Sequence, residues 1–151
     1  MGHHQKPPGI QVLFQPEREF PQPGIKLGRG NPRACQIGRL TEQIFAKNQI
    51  DLAKVEERTT YSSVTVNELG VKVQTRSVDA AIVWDAVAAD FARDVDIVPI
   101  PREQNLISRV AIGLLKFSKN KPLARQFMDF LAGVEGKAIF AKHRYTVEEP
   151  K

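Results

Sequence analysis

Residues 28 to 39 read Gly-Arg-Gly-Asn-Pro-Arg-Ala-Cys-Gln-Ile-Gly-Arg, with three glycines and three arginines around the single cysteine of the chain. Such a stretch suits a phosphate loop, a reactive thiol, or one wall of an anion pocket. The glycine order decides against the first. A dinucleotide fingerprint needs glycine where Arg33 stands, and no Gly-Lys-Ser/Thr follows to make a P-loop. As a plain strand-to-helix turn, the same residues offer Asn31 as cap and Pro32 as first helical residue.

Cys35 beside Arg33 and Arg39 has the electropositive setting that activates a thiol. A thiol enzyme also needs a base. His3 and His4 lie in the lead-in and His143 near the other end, so Cys35 reads as a small packing residue. Asp79 and Asp85 flank an apolar run, and an extended strand holds them roughly 20 Å apart, too far for a paired-acid site. Asp85 reads as a helix cap. Trp84 ends that run, where its indole N–H serves either core packing or an anion.

These residues need elements to position them. Ile25-Lys26-Leu27 reads as a short strand, followed by the glycine-rich turn and a helix with Ile37, Leu40, Ile44 and Phe45 on one face, ending near Lys47-Asn48. Lys54 to Arg58 reads as a second strand. Thr65 and Glu68 have capping-box spacing ahead of a helix burying Val66, Leu69 and Val73. Ala80 to Trp84 is a strand buried on both faces, Ala86 to Arg93 a helix, and Ile97 to Ile100 a fourth strand. Val110 to Phe117 reads as a long apolar strand. Asn120 and Pro122 open a helix over Leu123, Phe127, Phe130 and Leu131, and a short helix follows Gly136. Strands alternating with helices indicate an α/β fold with a mostly parallel sheet. In such sheets ligands sit beyond the carboxyl ends of the strands, where helix N-termini expose N–H groups.

Composition narrows the classes further. The 151 residues, 42% apolar and 26% charged, suit one globular domain and contain no apolar run of membrane-spanning length. The net charge of +5 admits an anionic partner, but the basic residues are scattered and few aromatics are present to stack bases, which argues against nucleic acid. One cysteine excludes an internal disulfide framework and thiolate metal clusters, and no metal site is expected. Residues 1–23, rich in Pro and Gln, read as an irregular lead-in or tag remnant, with one apolar patch at 10–14 that leaves room for one short element. Met1 to Pro8 has no apolar core of a signal peptide.

Three segments taken together, Gly30 to Arg39, Thr65 to Gly70 and Val78 to Ala86, resemble the second lobe of periplasmic molybdate/tungstate-binding proteins of ABC importers. The tail, Gly113 to Asn120, Phe127 to Leu131 and Glu135 to Phe140, resembles the end of such solute-binding proteins. The likeness covers about residues 24 to 147, with 24–106 as the second-lobe core and 107–147 as a returning strand and terminal helices that pack on a first lobe. The resemblance implies no catalysis, no cofactor, and a molybdate, tungstate or sulfate-like ligand held by neutral donors. Carried over, the loop of Gln36, Ile37 and Gly38 gives one backbone N–H and Val66 another. Trp84 stands where many relatives have a hydroxyl-donating tyrosine. It also implies a periplasmic or cell-surface location and an ABC membrane subunit as partner. A fully ionised dianion suits aligned N–H groups without a protein cation in contact.

Members of that family carry a first lobe of roughly a hundred residues ahead of the part seen here. Half a clamp is expected to bind weakly, and an uncovered 108–141 region to self-associate or take a partner. The rival expectation is a cytosolic ligand-sensing or protein-interaction module of the same fold.

Overall fold

A computed structural model describes residues 10–14 and 24–147 of the chain, which divides into two compact units, Met1–Ile107 and Ser108–Lys151. The first unit contains, in order, β1 (Ile10–Phe14), β2 (Leu27–Gly30), α1 (Gln36–Lys47), α2 (Leu52–Arg58), β3 (Thr59–Ser63), α3 (Val66–Gln74), β4 (Ala80–Trp84), α4 (Asp85–Asp90) and β5 (Asp96–Pro99). One sheet takes all the strands in the order β3-β2-β4-β1-β5. Strand β2 runs parallel to both β3 and β4, whereas β1 is antiparallel to both β4 and β5. Four strands therefore point one way, and the α/β architecture is the one the alternation indicates.

The alternation of side chains along the strands builds a core on each face. Ala81 and Val83 of β4 and Leu13 of β1 join Leu69 and Val73 of α3 and Ala88 of α4 on one face. Ile82 and Ile10 point the other way, onto Ile37, Ile44 and Phe45 of α1, with Leu52 and Val55 of α2 alongside. The apolar face read for α1 is thus the buried one, with Leu40 half-buried at its margin. Gly28 lets β2 pass close to α3: a Cβ there would lie 3.4 Å from Leu69 and 3.3 Å from Val78.

Several sequence expectations are corrected. Lys54 to Arg58 is helix, not strand: Asp51 accepts from the Ala53 N–H at 3.0 Å and opens α2. The strand comes immediately after, where Thr59 and Thr60 supply β-branched side chains. Residues 10–14 are not irregular lead-in but a strand of the sheet: β1 lies between β4 and β5, with Leu13 in the core of one face and Ile10 in that of the other. Residues 1–9 and 15–23, with the tag-remnant reading, lie outside the described residues.

In the second unit, α5 (Lys121–Ala132) begins as read, with Asn120 accepting from the Leu123 N–H at 3.2 Å and Pro122 in the first turn. Helix α6 (Val134–Lys142) starts two residues before Gly136, which lies inside it against the Leu131 backbone. The strand expected over Val110 to Phe117 is absent among the described residues. A strand exists through hydrogen bonds to a neighbour, and none of the strands of the sheet pairs with this segment. Val110, Ile112, Leu115 and Phe117 are exposed.

Candidate functional site

Because β3, β2 and β4 are parallel neighbours, their carboxyl ends deliver three helix starts to one edge of the sheet. The loops there are stitched together: the Asn31 N–H donates to the Ser63 carbonyl at 2.7 Å. Asn31 caps a turn rather than the helix. Its Oδ1 accepts from the Arg33 N–H at 2.9 Å, and its carbonyl accepts from Ala34 and Cys35. Pro32 lies in that turn, and α1 begins only at Gln36.

Two glycines of the opening stretch set how close α1 sits. A Cβ on Gly38 would lie 2.5 Å from the Gly30 carbonyl oxygen and 2.7 Å from that of Asn31, and one on Gly30 would lie 2.8 Å from the Gly38 nitrogen. Backbone meets backbone, so neither position accepts a side chain. These glycines bring the start of α1 onto the end of β2.

The helix starts differ in what occupies them. Cys35 is the N-cap of α1 and makes no side-chain cap; its thiol donates to the carbonyls of Asn31 (3.4 Å) and Ser63 (3.7 Å). Thr65 caps α3, also without a side-chain bond. The first-turn N–H groups of both helices therefore lack a capping side chain. At α4 the Asp85 carboxylate accepts from the Ala86 N–H at 2.8 Å. Asp85 is the first residue of α4 and Trp84 its N-cap, one position earlier than the sequence suggested. Asp79, at the other end of β4, accepts from the Lys26 N–H.

Among the residues singled out from sequence, Ile37, Val66 and Trp84 come together on one apolar cluster, with Cys35 beside them. Val66 also touches the core of the opposite face, which places it at the rim of the sheet. Gln36 is exposed, its Oε1 accepting two bonds from the Arg39 guanidinium at 3.2 and 2.6 Å. Gly38 is buried against Gly30 and Asn31.

Two arrangements near this edge escaped the sequence reading. Glu68, in the first turn of α3, accepts from the hydroxyls of Tyr61 and Ser63, while Ser63 Oγ accepts from the Thr65 N–H at 3.1 Å. The capping box is thus replaced by a relay in which Ser63 holds the Thr65 N–H, ahead of the helix, and the first-turn N–H groups stay uncapped. Hydrogen bonds from Ser63 and then Tyr61 hold the Glu68 carboxyl below its ordinary range, and the bond to Glu68 raises the Tyr61 phenol. The i, i+2 spacing of Tyr61 and Ser63 places both on one side of a strand, the signal available in the sequence. The second is Arg29, buried on β2, with Glu56 at 3.1 Å and Glu42 at 3.5 Å. It ties α1 and α2 to β2.

The family model for bacterial extracellular solute-binding proteins matches residues 7–146. The chain belongs to this family. Among curated relatives, the solute-binding protein is 28% identical over 116 residues to a "Putative binding protein" of Haemophilus influenzae, covering 77% of this chain and 46% of that one. It is 24% identical over 125 residues to a "Putative ABC transporter substrate-binding lipoprotein" of Bacillus subtilis, covering 82% and 46%. The chain spans about half the length of both relatives. Among solved structures, it resembles a two-component system protein of signal transduction (TM-score 0.74, 14% identity, 93% of this chain and 54% of that one). It also resembles the periplasmic molybdate-binding protein of Azotobacter vinelandii (TM-score 0.69, 17% identity, 94% and 66%). At such identities these two likenesses establish the fold of the solute-binding protein.

Proposed function

We propose that this chain is one lobe of a solute-binding component of an ABC importer, and that it holds a small tetrahedral oxyanion at the starts of α1 and α3. The observation that carries the reading is the pair of adjacent helix N-termini, at Gln36 and Val66, that no side chain caps. Aligned N–H groups and the two helix dipoles favour a dianion at that edge. Ile37 and Val66 offer backbone donors, and Trp84 an indole N–H from the third loop. Asp85 and Glu68 set limits on the ligand. With carboxylates on two of the three helices, a fully ionised anion must sit toward α1, where Arg33 and Arg39 add positive potential.

The molybdate-binding relative in fold supports molybdate or tungstate as ligand, with sulfate as the smaller competitor. The role is binding, without catalysis, and the site of action is the periplasm or cell surface, in keeping with the family description and the lipoprotein relative. The partners are the membrane subunits of the importer, and the exposed apolar side chains of residues 108–141 suit a further contact, including self-association.

A second reading, a ligand-sensing module, is favoured by the two-component system neighbour. Calorimetric titration with molybdate, tungstate and sulfate tests the first: weak saturable binding of the tetrahedral dianions, reduced by Trp84→Phe, is expected. Absence of any heat with all three removes the oxyanion reading. Micromolar or tighter binding by the monomer overturns the expectation that one lobe binds weakly.

A further inference from the structure

The face of the sheet that carries α1 and α2 also holds a groove of about 650 Å³, a size that suits a small organic ligand. It lies beside the starts of β2 and β4 and the second half of α1, away from the helix N-termini described above. Ile25, Phe45, Ile82 and Ile100 make its surface apolar. One observation marks it as more than a packing gap: Lys54 and Arg58 line it one helical turn apart on α2, and neither forms an ion pair with a described residue. Asp51, the acid that also lines the groove, spends one carboxylate oxygen on the Ala53 N–H.

From this we infer that the groove is a second ligand site, independent of the oxyanion reading, and that it takes a linear aliphatic carboxylate. The methylene chain lies along the apolar surface and the carboxylate meets Lys54 and Arg58. Charge complementarity selects an anionic head over a neutral one.

Calorimetry on the full chain with octanoate, decanoate and dodecanoate, decanol as neutral control, tests this. Saturable binding is expected to strengthen by about fourfold per methylene, to be weaker for decanol, and to fall about tenfold in the double variant Lys54→Glu/Arg58→Glu. Circular dichroism confirms that this surface variant folds. Saturating molybdate leaves the affinity unchanged, so loss of one site is distinguishable from loss of the other. No saturable binding, equal affinity for decanol, or an unaffected charge-reversed variant overturns the proposal.

Discussion

Asn105 and Ile10, 95 residues apart, pair as two strand residues do: Asn105 Oδ1 accepts from the Ile10 N–H at 3.2 Å and Nδ2 donates to the Ile10 carbonyl at 2.9 Å. The side-chain amide mimics a backbone neighbour at the end of β1 and is itself 3% exposed. Its own N–H and carbonyl bond Arg102 and the Lys47 ammonium, so the loop is held from several sides.

Asn105→Ala is expected to destabilise the first unit by about 3 kcal/mol, because it leaves two buried backbone groups of Ile10 unpaired. Asn105→Asp keeps both bonds only while its carboxyl is protonated, the O–H donating to the Ile10 carbonyl; ionised, it turns an oxygen on that carbonyl and buries a charge, so this variant loses stability as pH rises. Urea unfolding followed by circular dichroism measures both.

Gly38→Ala is expected to cost about 2 kcal/mol or more, since its Cβ meets the backbone of Gly30 and Asn31 and not a flexible side chain. The same substitution tilts α1 away from β2. If the oxyanion sits at the α1 start, binding is lost with it, and a crystal structure of the variant reports the tilt directly. An unchanged unfolding midpoint refutes the close-approach account.

The Glu68 carboxyl, held low by Ser63 and Tyr61, predicts a pH dependence. A lowered folded-state value means that the unfolded chain binds more protons, so the contribution is present above about pH 4.5, the ordinary value, and fades as pH falls through the folded value. Tyr61 acts at the other end: its raised value gives stability that is present below pH 10 and is lost as pH rises beyond it. Glu68→Gln flattens the acid limb of a stability–pH curve relative to the parent. Parallel acid limbs would show that the relay contributes nothing.

Thr41→Val removes an unpaired buried hydroxyl while keeping the shape of the side chain, and raises stability by about 1 kcal/mol. Thermal unfolding checks the sign. A lower midpoint would mean that the hydroxyl has a partner in solution.

The sequence made the α-helical faces legible where apolar residues recur at helical spacing, as with Ile37, Ile44 and Phe45, and made β4 legible as a continuous apolar run. It misled at Lys54 to Arg58, where a helix of about two turns buries nothing completely and so leaves no clear period. It also misled at Val110 to Phe117, whose strand-like composition finds no strand to pair with in the described residues. Ile10 to Phe14 was hidden for a different reason: Pro- and Gln-rich flanks masked five residues whose partners lie some seventy positions later. At the candidate site, the convergence of Ile37, Val66 and Trp84 followed from the order strand, turn, helix. The relay through Ser63 did not, because a serine and a glutamate five residues apart signal nothing until a strand and a helix fold them together.

The placement of β1 has a consequence for how the molecule is assembled. It is made well before the two strands that grip it and seated late, since β4 and β5 lie beyond residue 79. Contacts of such long sequence separation slow folding, and until they form, the sheet is open between β4 and β5. That opening has the width of a single strand and the register of a peptide. A chain cut between Phe14 and Gly24 would therefore remain a two-piece molecule in which a supplied copy of residues 10–14 restores the sheet, making the first strand an exchangeable part.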